Sequence, residues 1–224
     1  MHTPKYTLTK LLPHVYHAHF ESGYQLAMHF LRAQEYYESP KFANQLFNLV
    51  DYMEWYVTTS EDGTFSYAQD WSGFNVPSWV LHDIYIFGDI PDVNKYDKFM
   101  EELVFKIFED EQGKPFYLIG TSAEGYQGDG DVEGMLDHEL AHALYYVDKE
   151  YRQVVDELLD ALPLYDAFCK VIADEGYHHR TVHDEVNAYL STGAVPFLEN
   201  IWNEEMSLPF QENFKKFKHK NLST

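Results

Sequence analysis

The chain is poor in cysteine: Cys169 is its only one. A single thiol excludes an internal disulfide, and with it the small secreted scaffolds that disulfides hold together. It also excludes a structural zinc site made of several cysteines, so any metal here must be held by histidine and carboxylate. Positive charge is scarce as well. Against 37 Asp and Glu stand 16 Lys and Arg, a net charge of −21. Phosphate backbones and anionic membranes would repel such a chain, which excludes nucleic acid and membrane as expected partners. No apolar run is long enough to span a bilayer, and residues 1–20 lack a basic cluster followed by an apolar core. The cytoplasm is the expected compartment. Internal repeats and low-complexity linkers are also missing.

What is present points to a packed globule. Hydrophobic residues make up 45% and aromatic residues 17% of 224 positions, enough for a sizeable core. The expected organisation is one domain over 1–224, with a helical part over 1–113 and a metal-site part over 114–224. The fold class this implies is α+β, predominantly helical, with a small sheet.

One stretch carries chemistry: Asp137-His138-Glu139-Leu140-Ala141-His142. It reads H-E-x-x-H. Two histidines four apart lie one above the other on a helix, so both reach one zinc ion. Glu139 points near the same place and is the candidate general base for a water at the metal. At helical spacing Leu136, Leu140, Ala143, Leu144 and Val147 share one side, and the histidines take the opposite one. No Gly or Pro interrupts the chain from Met135 to Tyr151, which predicts one continuous helix there. The plainer reading is two core or surface histidines on an ordinary helix.

Elsewhere the patterns give a frame for that helix. Helical spacing is expected over 22–37, over 39–58 from a Ser39-Pro40 start, from Pro77 to Gly88, and from a cap at Asp92 to Gly113. Thr64 to Asp70 reads as a short strand, and Asp70 to Pro77 as an aromatic loop packed on the core. Pro115 to Ser122 is the clearest strand, directly upstream of the metal helix. Past the metal helix, helices are expected over 150–162, from Pro163 to near Gly176, over 181–192, and in the final stretch. Lys215 to Lys220 is a small basic tail, read as a solvated helix end.

A catalytic zinc takes three protein ligands and leaves a fourth position to water. Glu185 is the first candidate for the third. Thr181 can cap its helix and Asp184 suits a capping box, whereas Glu185 has no evident structural task. The rivals are Asp148, six residues after His142, together with Asp184, His178, His179 and His183. A calcium loop through Asp129, Asp131, Glu133 and Asp137 is a further reading, but its last position is Leu140 where a glutamate belongs.

His138, Glu139 and His142, followed by a helix bearing Glu185-x-x-Ala188-Tyr189, resemble the gluzincin branch of the zincin metallopeptidases. The resemblance covers Pro115 to Leu190. It implies one zinc ion held by His138, His142 and Glu185, with Glu139 as general base in peptide-bond hydrolysis. Two patterns are not met: the thermolysin motif N-E-x-x-S-D after a shorter gap is absent, and the separate metzincin pattern fails at both its Gly and its last His. The chain is therefore similar to an unassigned zincin-like group. In such a mechanism the tetrahedral oxyanion needs one donor besides zinc, and Tyr189 and His179 are the candidates. Asp184 or Asp137 can orient a ligand histidine. The strand at 116–121 is the expected pairing edge for a peptide or protein substrate. The competing reading is a non-catalytic zincin-like binding protein whose metal is structural or lost. Oligomeric state is open.

Overall fold

The computed structural model describes residues 4–60, 62–71, 73–124, 132–177, 179–193 and 195–222, with the backbone alone at 132 and 133. The chain forms two compact units. The first comprises Met1–Lys10 with Tyr16–Gly128, and the second Leu11–Val15 with Asp129–Thr224.

The first unit opens with most of strands β1 (Tyr6–Leu12) and β2 (Val15–Phe20), whose joined ends at 11–15 count with the second. A turn at Pro13-His14 joins them, with His14 at φ 65, a conformation only a turn tolerates in a non-glycine residue. These strands went unread in the sequence, although Tyr16, Ala18 and Phe20 alternate with His17 and His19 in β2 as a half-buried strand does. Helices α1 (Gly23–Glu38), α2 (Leu49–Thr59) and α3 (Tyr67–Asp70) follow. Next come β3 (Gly73–Pro77), α4 (Ser78–Tyr85), α5 (Lys95–Asp110) and β4 (Tyr117–Ser122). The four-stranded sheet has the order β1-β2-β4-β3. Strand β3 runs antiparallel to β4, from Gly73 opposite Thr121 to Pro77 opposite Tyr117. The chain is thus α+β, with helix predominating, as expected.

Several expectations need correction. β4 is an interior strand, paired on both sides, so it has no open edge for a substrate. β3 occupies what read as an aromatic loop, and its Pro77 is tolerated because β3 is an edge strand. Residues 67–70 form a helical turn, not a strand. α2 starts at Leu49, capped by Asn48, whose side chain accepts from the Val50 N–H. Ser39 instead closes α1. α5 starts at Lys95, where Asn94 and Asp97 form a reciprocal capping box. Asp92 is drawn elsewhere, accepting from the Leu49 N–H and from Arg32. Gly88 is not a left-handed cap; a Cβ there would lie 2.5 Å from the Ile84 carbonyl oxygen.

The core of this unit is aromatic. α1 lies so close to β4 that a Cβ on Gly120 would come within 2.6 Å of Phe30 Cζ and 2.8 Å of Leu26 Cδ1. Phe30 in turn stacks on Phe74 of β3 at 5.4 Å. Within this core Arg32 is buried and forks onto Asp97 with bonds of 2.7 and 3.1 Å.

Beyond residues 11–15, the described part of the second unit is built of helices: α6 (Val132–Val147), α7 (Lys149–Asp160), α8 (Tyr165–Asp174), α9 (Val182–Thr192), a 3-10 turn at Pro196–Leu198, and α10 (Glu204–Leu222). The continuous helix expected through Tyr151 is broken. Asp148 adopts an extended conformation and caps α7, accepting from the N–H groups of Glu150 and Tyr151. A strong N-cap residue starts a new helix more cheaply than the old one continues through it. The middle of α6, residues 139–144, is buried all round. The basic tail does more than end α10: Lys218 pairs with Asp137 on α6 and Lys220 with Glu150 on α7.

Candidate metal centre

α6 and α9 bring together three side chains that lie far apart in sequence. His138 Nε2 and His142 Nε2 are 3.2 Å apart. Glu185 Oε2 is 3.6 Å from the first, and Glu185 Oε1 is 3.5 Å from the second. Among the described residues these three form the group of histidine and carboxylate side chains able to share one ion. A zinc ion with bonds of about 2.0–2.1 Å in a tetrahedron needs ligand atoms roughly 3.3–3.4 Å apart. The observed separations, the two to Glu185 each taken to a different oxygen, lie close to that value, and one ligand atom from each residue lies within 4.8 Å of the others.

Two further observations bear on whether these residues fit a cation. Glu185 is buried, and its Oε2 has no hydrogen-bond partner. A buried carboxylate oxygen without a donor is costly, and a cation at this position would remove the cost. The local charge also favours a cation. Burial pushes the His142 imidazole down, but the Asp184 and Glu185 carboxylates outweigh burial and hold it well above the usual histidine range. Burial pushes Glu185 up, but the His142 and His138 imidazoles bring its carboxyl down to about 2. The residues fit a divalent ion.

Each histidine has a partner behind it. His142 Nδ1 lies 2.8 Å from Asp184 Oδ2. An ionised carboxylate only accepts, so Nδ1 carries the proton and donates it. That orients the ring with Nε2 towards His138 and Glu185. His138 Nδ1 faces the Thr192 hydroxyl at 3.5 Å, and that hydroxyl donates to the Ala188 carbonyl at 2.7 Å. Exposure is uneven. The side chains of His142 and Glu185 are 3% and 6% exposed, that of His138 19%. Solvent therefore reaches the cluster on the His138 side.

The remaining candidates fall in different places. Glu139 is buried on α6; burial above all, then Tyr177 and Glu185 and last Glu139, push the Tyr189 hydroxyl up. The Tyr189 ring lies 4.6 Å from that of His138, and its hydroxyl bonds to Tyr177 at 2.7 Å. His179 is exposed in the turn before α9. His183 turns away from the cluster, with Nδ1 2.7 Å from the Tyr165 hydroxyl and Nε2 3.3 Å from Asp156. Asp148 caps α7 and Asp137 is held by Lys218. Thr181 makes no capping bond through its side chain, and Asp184 serves His142 instead of a capping box. His178, and Asp129 and Asp131 of the calcium reading, lie outside the described residues.

Sequence reasoning missed Tyr151, Asn187, Ser191 and Thr192. A signal existed: from Asp184 the spacing 184, 187, 191 marks one row of α9, and from Glu185 the spacing 185, 189, 192 marks the next. Both rows are polar on a buried helix, which needs partners. Comparison with protein-family models, with curated proteins and with solved structures returned no match.

Proposed function

We propose that this protein is a zinc-dependent hydrolase of the zincin-like, gluzincin-type class, cleaving peptide bonds. The observation that carries the reading is the convergence of His138, His142 and a buried Glu185 with an otherwise unpartnered oxygen. His138, His142 and Glu185 would hold one zinc ion. Bound there, zinc supplies Lewis acidity, lowering the pKa of water from ~16 towards ~7 and polarising a carbonyl.

The chain's own residues do the rest. Asp184 fixes the His142 ring by accepting its Nδ1 proton. Glu139 takes a proton from the attacking water and delivers it to the leaving amine. Tyr189 is better supported than His179 as the donor to the developing oxyanion, because its ring packs on His138 whereas His179 is exposed. The exposed flank of His138 is the side on which a peptide or protein substrate would approach. Cys169 is a free thiol, in keeping with a cytoplasmic protein.

The test pairs metal content with turnover. Purified wild type should carry about one zinc per chain and cleave members of a quenched fluorogenic peptide library. Glu139→Gln should keep the zinc and lose turnover by at least ~100-fold. A metal-free wild type that stays so after zinc addition would remove the hydrolase reading, as would a fully active Glu139→Gln.

A further inference from the structure

Behind His142 the buried side of α9 holds a chain of polar contacts that the proposed reaction does not use. Asp184 gives one oxygen to His142 and the other to Asn187, whose Nδ2 donates to Asp184 Oδ1 at 3.3 Å. The Asn187 oxygen accepts from the Tyr151 hydroxyl of α7 at 3.1 Å and from the Ser191 hydroxyl at 3.2 Å. Asn187, Ser191 and Tyr151 are all buried, Asn187 completely.

The chemistry of these groups fixes the amide. Turning it over would set its oxygen against the Asp184 carboxylate, acceptor facing acceptor, with the NH2 against two hydroxyls. Tyr151 and Ser191 can donate or accept, so the Asp184 carboxylate sets the orientation, and both hydroxyls then donate to the amide oxygen. The carboxylate is then held at both oxygens. It cannot rotate away from His142 without breaking the bond to Asn187, and Asn187 is fully buried, so water does not replace Asp184 as the acceptor of its amide.

We propose that Asn187 is a positioning residue: its amide donates to Asp184, holds that carboxylate against His142 and so presets the candidate metal ligand. This rests on the zinc reading for its consequence, but the juxtaposition itself is testable without metal.

The experiment compares wild type, Asn187→Leu and Ser191→Ala by cobalt(II) and zinc(II) titration, with exchange of the His142 Nδ1 proton followed by NMR in the metal-free proteins. Asn187→Leu should weaken cobalt binding by about 10-fold and speed exchange of that proton, because Asp184 loses one of its two anchors. Ser191→Ala removes a bond from the same network but leaves the donor on Asp184. It should lower the melting temperature while keeping cobalt affinity within about 2-fold of wild type. A folded Asn187→Leu protein with wild-type affinity and wild-type proton exchange would overturn the proposal. So would a Ser191→Ala protein that loses affinity as much as Asn187→Leu does, since the effect would then track stability alone. If Asn187→Leu does not fold, Asn187→Ser takes its place under the same criteria. If wild type binds neither metal, the hydrolase reading fails, and the proton exchange still decides whether Asn187 holds Asp184.

Discussion

Replacing Asp184 by asparagine keeps the shape of the side chain and removes its charge. The bond it makes to His142 is short, at 2.8 Å, and the His142 side chain is only 3% exposed while that of Asp184 is 19%. A fully exposed pair would contribute at most about 1 kcal/mol, because water and salt screen it. This pair lies mostly out of water, so the charge-assisted range of about 1.5–3 kcal/mol applies. The amide satisfies both neighbours only if Asn187 also turns over: with Asn187 as it stands, aiming the new oxygen at His142 Nδ1 sets its NH2 against Asn187 Nδ2, donor against donor, and the reverse leaves the imidazole proton without an acceptor. Asp184→Asn should therefore weaken zinc binding by about 10–100-fold, which is the usual cost of losing the partner of a ligating histidine. Competition with a chromophoric chelator at fixed pH measures this directly, and far-UV circular dichroism checks that the variant is folded. A folded Asp184→Asn protein that binds zinc as tightly as wild type would show that the Asp184 contact does not prepare His142 for metal.

Other expectations concern the first unit. Burial holds His29 down to about 4 from an ordinary 6.5, so the unfolded chain takes up its proton first as pH falls. The stability this residue confers is complete above pH ~6.5 and is lost on the way to pH ~4, by up to about 3 kcal/mol. His17 is lowered to about 4 by burial as well, so His29→Phe should reduce the acid sensitivity seen in urea melts and leave part of it. A pH slope unchanged in His29→Phe would contradict this. Asp97→Ala takes the bidentate partner from the buried Arg32 guanidinium, leaving it Asp92 and the Phe47 carbonyl, and also opens the cap of α5; it should cost about 3–5 kcal/mol in urea unfolding. A loss under 1 kcal/mol would mean that Arg32 finds water. Gly120→Ala forces a methyl group against Phe30 and Leu26 and should cost about 1–3 kcal/mol; an unchanged melting temperature would show that α1 shifts freely.

The legible parts of this protein were the local ones. His138, Glu139 and His142 sit within one turn of helix, so their shared face follows from helical spacing alone, and the helix at 182–192 was readable from its own periodicity and the glycine after it. The strand at 117–122 stood out because apolar residues between turn signals have few other fates. Boundaries that depended on distant partners were misread. Asp92 has the right side chain to cap a helix, yet Arg32 and Leu49 claim it, and Asn94 caps instead. The sequence between Met135 and Tyr151 has no breaker, yet Asp148 starts a new helix because its carboxylate serves the free N–H groups of α7.

The amino-acid sequence by itself determined the pair of imidazoles and the carboxylate between them, since neighbours on a helix need no other element to meet. Packing of α9 against α6 decided that Glu185 faces that pair, that Asp184 backs His142, and that Asn187 backs Asp184. Those choices turn on which row of α9 points inward, and a rotation of a third of a turn would have exchanged the roles. Only burial against neighbouring helices fixes that rotation, because it is there that an unpartnered polar group becomes costly.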